Sequence, residues 1–389
     1  MTTAAGLQST ARPGVIELGF GEPDPALFPA AGLAEAAAEA LADGGATALP
    51  YGANAGPPAL RQRLAERLTA LEGHETGSDE TLVSGGNSQA LDHLVTLFCR
   101  PGDVVLVERP TYSLALSILR DHPVAVEALD FDEQGLDVAA LERRLAGPHG
   151  GEGPVRLLYT IPTFHNPTGV SLAPARRRRL VGLAAAHGLL VVEDDVYREL
   201  WYDQPAAPSL WSLAAPGTVL RLGSFAKTVA PGLRVGWVNG TPAQVERFAA
   251  SGLHDSGGCP SQYAAAVVER FLAAGSYDGH VAGLRAAYRA RRDALVSALA
   301  ARLPEGCSFA APRGGFFVWL ELPAGLRASV LLPDAEAAGV SFVPGVRSHL
   351  DGRDGGLRLA FSLYDEERLT EAAARLGRAI AAALGRPAG

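Results

Sequence analysis

Lysine is nearly missing from this sequence. Of its 34 basic residues, 33 are arginine and one is lysine, Lys227. Arginine stays protonated in proteins. Chemistry that needs a side-chain amine able to lose its proton therefore rests on Lys227, with the N-terminus as the other amine. Cysteine is scarce too. Cys99, Cys259 and Cys307 are odd in number, far apart and without CxxC spacing. That excludes a disulfide framework and a thiolate metal site, and it points to a reducing, cytoplasmic setting. Excess positive charge is absent, with a net charge of −8 and an isoelectric point near 5.6. A dedicated partner such as nucleic acid or an anionic membrane is not expected. No uninterrupted apolar run reaches membrane-spanning length. The opening stretch MTTAAGLQSTARPG has no basic segment followed by an apolar one, so no leader is expected. No repeat of fixed period is visible.

What is present suits a large, well-packed enzyme. The 389 residues are 48% hydrophobic, enough for two or three structural units. From about residue 80, short β-branched runs alternate with helical periodicity. The runs lie at 81–84, 104–107, 155–161, 189–193, 219–222 and 234–238, with helical segments such as 89–98 and 175–186 between them. This alternation predicts an α/β fold with a mostly parallel central sheet covered on both faces. A long helix over 277–303 follows. After it, strands at 316–322 and 357–361 and a closing helix over 366–384 read as a smaller α+β domain. The expected division is an N-terminal arm at 1–45 that joins the small domain, a large domain at 46–285 and a small domain at 286–389. The arginine run from Arg176 to Arg179 follows Pro174 at a helix start and reads as a solvated helix face.

Four units carry candidate chemistry, because open α/β sheets place ligands beyond the carboxyl ends of their strands. Ser84-Gly85-Gly86-Asn87-Ser88-Gln89 links a strand to a helix, where free N–H groups and the helix dipole favour an anion. It has neither the GxxxxGK[ST] nor the GxGxxG pattern, and a plain strand-to-helix turn fits it as well. Asn166-Pro167-Thr168-Gly169 is a turn after a strand with an amide at its start. Glu193-Asp194-Asp195 ends an apolar strand, where three acids are costly unless they are paired or solvated. One can cap a helix, and another can face a cationic group and stay ionised. Lys227, in Ser224-Phe225-Ala226-Lys227, also follows an apolar strand. Burial there lowers an amine's pKa and makes it nucleophilic towards a carbonyl.

Together, in this order and spacing, the four units resemble the class I/II aminotransferases, the fold type I enzymes dependent on pyridoxal 5'-phosphate (PLP). The texture is nearest to the 2-aminoadipate and broad-specificity aromatic aminotransferases. The resemblance runs from Gly21-Glu22-Pro23 to Arg358-Leu359-Ala360-Phe361-Ser362. It implies Lys227 as the Schiff-base lysine and Asp194, three before Tyr197, as the partner of the protonated pyridine nitrogen. Tyr197 and Asn166 are implied at the ring's phenolic oxygen, and Tyr112 on the ring face. Asn87, Ser88, Ser224 and Arg234 are implied at the phosphate, with Tyr51 reaching the phosphate of a neighbouring subunit in a homodimer with shared sites. Arg358 is implied as the clamp on the substrate α-carboxylate, a task suited to a planar fork, with Gly21 in a segment that closes over the substrate. Amino acids and 2-oxo acids are the implied substrates.

The same cofactor site serves enzymes that eliminate, replace, cyclise or oxidise, and that alternative stays open here. An aminotransferase-like transcription regulator carries an N-terminal winged helix, and with the match starting near Gly21 that reading is not expected. Val343-Pro344-Gly345 continues into Val346-Arg347-Ser348-His349 where the family often has small residues and an aromatic. Arg347 or His349 is therefore expected to read a polar or anionic substrate group, although an exposed loop fits as well. His165 stands where the family often has glutamine. The polar, glycine-rich segment from His254 to Cys259 is expected to approach the partner subunit's site.

Overall fold

The computed structural model describes residues 12–147 and 153–385. Most of the opening stretch examined for a leader lies outside the described residues.

Seven strands form the central sheet: β1 (Thr81–Ser84), β2 (Val104–Glu108), β3 (Ala125–Leu129), β4 (Val155–Thr160), β5 (Leu190–Asp194), β6 (Val219–Ser224) and β7 (Gly236–Asn239). Their order across the sheet is β1-β7-β6-β5-β4-β2-β3. Strands β3, β2, β4, β5 and β6 pair in parallel, and β7 alone runs antiparallel, between β6 and β1. The carboxyl ends of β1, β2, β4, β5 and β6 therefore share one edge. That places Ser84, Glu108, Thr160, Asp194 and Ser224 along one crevice.

Alternation along β2 shows why the sheet is covered twice. Val105 and Val107 join Leu91, Leu94, Leu116 and Leu220 on one face. Val104 and Leu106 join Leu141, Leu158, Leu180 and Val191 on the other. Each such side chain, fully buried, contributes about 1.5–3 kcal/mol, so both helical layers are held by the strands they cover. The sequence pattern missed β3. It reads Ala-Val-Glu-Ala-Leu, is mostly half-exposed and forms the sheet edge, so it shows neither a continuous apolar run nor strong β-branching.

A second, antiparallel sheet consists of β8 (Ser308–Phe309), β9 (Phe317–Glu321), β10 (Val343–Pro344) and β11 (Gly356–Ala360), in the order β8-β9-β11-β10. Helices Tyr277–Arg302 and Glu366–Leu384 share its core. Ile16 and Leu18 are buried in the same core, and Ile16–Glu17 pairs with Val340–Ser341. No helix among the described residues is long and apolar enough to cross a membrane.

One expectation needs correction. The arginine run lies on helix Pro174–His187, but Arg177 is fully buried rather than solvated. Its guanidinium donates to Leu172 O at 3.0 Å and Pro208 O at 3.1 Å. The carbonyls of the turns beneath the helix satisfy the fork, so burying it is affordable. Arg178 and Arg179 remain exposed.

Candidate active site

The crevice is built from what the strand ends deliver. After β1 the chain turns through Gly85 and Gly86 into helix Asn87–Phe98, whose first N–H groups have no intrahelical partner. Gly86 holds φ +91°, and a Cβ there would lie 2.7 Å from Arg234 Nη2. Only glycine lets that guanidinium approach the helix start. Arg234, itself at φ 52° just before β7, donates from Nη2 to Gly85 O at 3.0 Å. Ser88 is exposed at the first turn. Ser224, at the end of β6, accepts from Ala226 N at 3.1 Å. Ser84 Oγ is buried without a hydrogen-bond partner among the described residues. A helix start, an arginine and small residues make a fitting cradle for a phosphate.

Three residues past β6, Lys227 Nζ donates to Gly21 O at 2.7 Å. Burial lowers its pKa from 10.5 to about 8, and Arg358 and Arg234 push the same way. Glu22 and Asp194 oppose the shift. The amine is thus half neutral near pH 8 rather than above pH 10. Uptake of PLP by cofactor-free protein is expected to speed up as pH rises and to level off above about pH 8, because only the neutral amine attacks a carbonyl. Following cofactor absorbance against pH checks this. A rise centred near pH 10 would show a solvated amine instead.

The three acids at the end of β5 separate into three roles. Glu193 accepts from Leu210 N and Trp211 N, each at 2.9 Å, and so caps the short helix Leu210–Leu213. Burial, and after it the neighbouring Asp195, raises its pKa. Asp195 faces away from the crevice and pairs with Arg221 at 2.8 Å, in a buried network with Glu72 and Arg198. Asp194 is left for the crevice. It accepts from Asn87 Nδ2 at 2.6 Å and from the Tyr159 hydroxyl at 2.7 Å. Burial raises its pKa to about 6, while those two donors hold it down. The Asn87 side chain, expected at a phosphate, is therefore directed to Asp194. The buried carboxylate draws the donor, and Asn87 keeps its main-chain N–H at the helix start.

Arg358, on β11, enters from the second sheet. Nη1 donates to Asn166 Oδ1 at 2.9 Å and Nη2 to Gly19 O at 2.7 Å, with the guanidinium 4.2 Å from the centre of the Phe317 ring. Asn166 thus spends its oxygen on Arg358 and keeps its N–H groups as donors. Gly21 sits where a Cβ would meet Phe317 at 2.7 Å, close under both Lys227 and Arg358. Tyr112 lies within the fields of Asp194, Arg358 and Arg234, and burial raises its pKa. Tyr197 feels Tyr112, Arg358 and Asp194, and burial likewise raises its pKa. Arg347 is exposed, yet its charge reaches Arg358 and adds to the burial that depresses that guanidinium's pKa. His349 lies 3.8 Å from Asp351 and beside Trp319. Tyr51 projects into solvent, 89% exposed. The His254 to Cys259 segment packs on the loop after Tyr51, with His254 Nδ1 2.7 Å from Asn54 O and Cys259 N donating to Ala53 O at 3.2 Å.

Sequence reasoning missed Tyr159. The available signal was a tyrosine directly after the apolar pair Leu157-Leu158 in a strand, whose hydroxyl needs a partner once buried. It also missed Glu108, which accepts from Thr160 Oγ1 at 2.6 Å and Ile161 N at 2.9 Å and stands 3.1 Å from His165. His165 is fully buried and stacks on Phe131, so it supports the Asn166 turn from behind.

Comparison with known proteins gives consistent findings. The sequence profile of aminotransferase class I and II matches residues 13–376. A 2-aminoadipate transaminase of Thermus thermophilus is 36% identical, over 96% of this chain and 92% of its own. An aromatic-amino-acid aminotransferase of Thermococcus litoralis is 33% identical, over 94% of this chain and 88% of its own. The crystal structure of Pyrococcus horikoshii kynurenine aminotransferase, in complex with PMP, superposes with a TM-score of 0.91 at 32% identity. It covers 96% of this chain and 92% of the other.

Proposed function

Because the chain belongs to the class I and II aminotransferases and transaminates with PLP, we propose how its own residues divide that work and which donors they favour. The observation that carries the reading is one lysine, with its amine lowered to about pKa 8, in the same crevice as Asp194, Arg358 and the glycine-lined helix start. PLP, when bound, supplies a carbonyl for the amine and a ring that accepts electrons from the substrate's Cα.

The residues act as follows. Lys227 would hold the cofactor through its amine and, once free, serve as the general base for the substrate's Cα proton. Asp194, held by two donors, would pair as an anion with the ring nitrogen. Tyr197 and the Asn166 side-chain N–H would hold the phenolic oxygen, and Tyr112 would pack on the ring. Main-chain N–H groups of Asn87 and Ser88, with Ser224 and Arg234, would hold the phosphate. Arg358 takes the substrate carboxylate, which replaces Gly19 O on its fork.

A homodimer completes the site in this reading. Leu41, Leu49, Tyr51, Leu253 and Tyr263 are exposed, and the segments carrying them adjoin. Gly52 lies against Gln262 and Gly258. Such a surface suits a second copy of the chain, with Tyr51 reaching the partner's phosphate. We assign residues 46–285 to the PLP-binding domain and 286–389, joined by the arm 1–45, to the small domain. A cytoplasmic enzyme fits the free cysteines.

For the donor, Arg347, whose charge reaches Arg358, points to a second carboxylate, as in 2-aminoadipate or glutamate. Arg347→Ala is expected to raise KM for such acids about threefold and to leave KM for leucine unchanged. Steady-state kinetics on both donors check this. Equal effects on the two would remove Arg347 from substrate reading.

A further inference from the structure

Asp194 is the acid most tightly held in the crevice, and both its oxygens are bound from within the protein. Three elements meet at it. Asp194 ends β5, Tyr159 lies next to the carboxyl end of the neighbouring β4, and Asn87 opens the helix after β1. Asn87 Nδ2 donates to Oδ1 at 2.6 Å and the Tyr159 hydroxyl donates to Oδ2 at 2.7 Å. Tyr159 is fully buried, so this hydroxyl can reach neither water nor substrate, and its partner is the carboxylate.

We propose that Tyr159 is a positioning residue for transamination: with the Asn87 amide it fixes the plane of the Asp194 carboxylate and keeps it ionised toward the cofactor's ring nitrogen. The proposal rests on Asp194 being the ring-nitrogen partner, as read above.

The physical need is plain. A carboxylate enclosed in protein tends to take up a proton, and here burial alone raises its pKa. Asp195 next to it pushes the same way, and Lys227 pulls back. Tyr112 and Tyr197 also face Asp194, but burial raises their own pKa values, so they add no charge near neutral pH. Two hydrogen bonds to the charged form are what remain to keep the acid ionised. Tyr159 suits the task because its own pKa is pushed far up by burial and by Asp194, so it stays a donor throughout the working range. A carboxylate gripped at one oxygen can rotate about its own bond. Gripped at both, it presents a fixed lone pair to the ring, the orientation that a supporting shell provides.

Tyr159→Phe keeps the ring and removes only the donor. In the holoenzyme, the acid limb of the kcat/KM profile is expected to move up by about one pH unit, the size of one hydrogen bond to a carboxylate. We expect kcat to fall about tenfold with KM for the amino acid nearly unchanged. The pH titration of cofactor absorbance, recorded without substrate, is expected to shift in the same direction. Asn87→Ala serves as the second variant and decides the matter if Tyr159→Phe does not fold. A role confined to packing would lower the thermal midpoint and leave the acid limb and the absorbance titration in place, and that result overturns the proposal. If the wild-type protein takes up PLP but both variants titrate as it does, this inference fails alone. If the wild-type protein takes up no PLP, the reading of the whole site fails with it.

Discussion

Lys227→Arg is expected to yield a folded protein that neither attaches PLP covalently nor transaminates. Activity should drop by a factor of at least about a thousand, the scale of losing a nucleophile and a general base together. The charge is conserved, so a loss cannot be blamed on the field at the site. What arginine cannot do is release a proton. The structure lowers the Lys227 pKa to about 8 by burial, and that shift matters only for a group that works in its neutral form. With 33 arginines elsewhere and no second lysine, no neighbouring side chain can take over. Circular dichroism matching the wild type, together with lost cofactor absorbance, is the expected pair of readings. Retained turnover would show that Lys227 is not the attachment point.

The second large effect is expected at Arg358. Arg358→Ala should lower kcat/KM for amino acids about 100- to 1,000-fold, mostly through KM. Truncating one side of a buried, hydrogen-bonded charge pair costs about 2–5 kcal/mol. Part of that cost falls on the protein, because Asn166 Oδ1 and Gly19 O lose their donor. An amine donor without a carboxylate separates the two contributions. Its kcat/KM should change far less than that of the matching amino acid. Equal losses on both would mean that Arg358 supports Asn166 and does not bind substrate. Arg358→Lys is not a mild change either, since a point charge cannot serve two partners in one plane.

Much of this site was legible because it follows from strand ends. The pattern at 189–193 located β5, and the expectation that one of its acids caps a helix holds for Glu193 at the start of helix Leu210–Leu213. What the sequence could not show is which way side chains turn at the crevice. Asn87 read as a phosphate group ligand because it opens a helix. Its side chain goes to Asp194, and nothing in the local spacing encodes a contact across 107 positions. The partner of Tyr159 was invisible for the same reason, since it lies on the adjacent strand. Arg177 was misread because a helix face beginning with proline and four arginines looks solvated. The turn carbonyls that receive its fork come from Pro162 and Pro208. The fold was clear in its central strands, whose burial on both faces enforces long apolar runs. It was obscure at β3, where a half-exposed edge leaves no such run.

The most direct test of the account is to reduce the PLP-loaded wild-type protein with borohydride, before and after adding an amino donor such as glutamate, and to locate the modification by peptide mass. The account predicts one reduced cofactor per chain on the peptide containing Lys227 before donor is added. It predicts loss of that label afterwards, with the cofactor recovered in its amino form. A label on the N-terminal peptide, or one that persists on Lys227 with every amino acid tried, would contradict it.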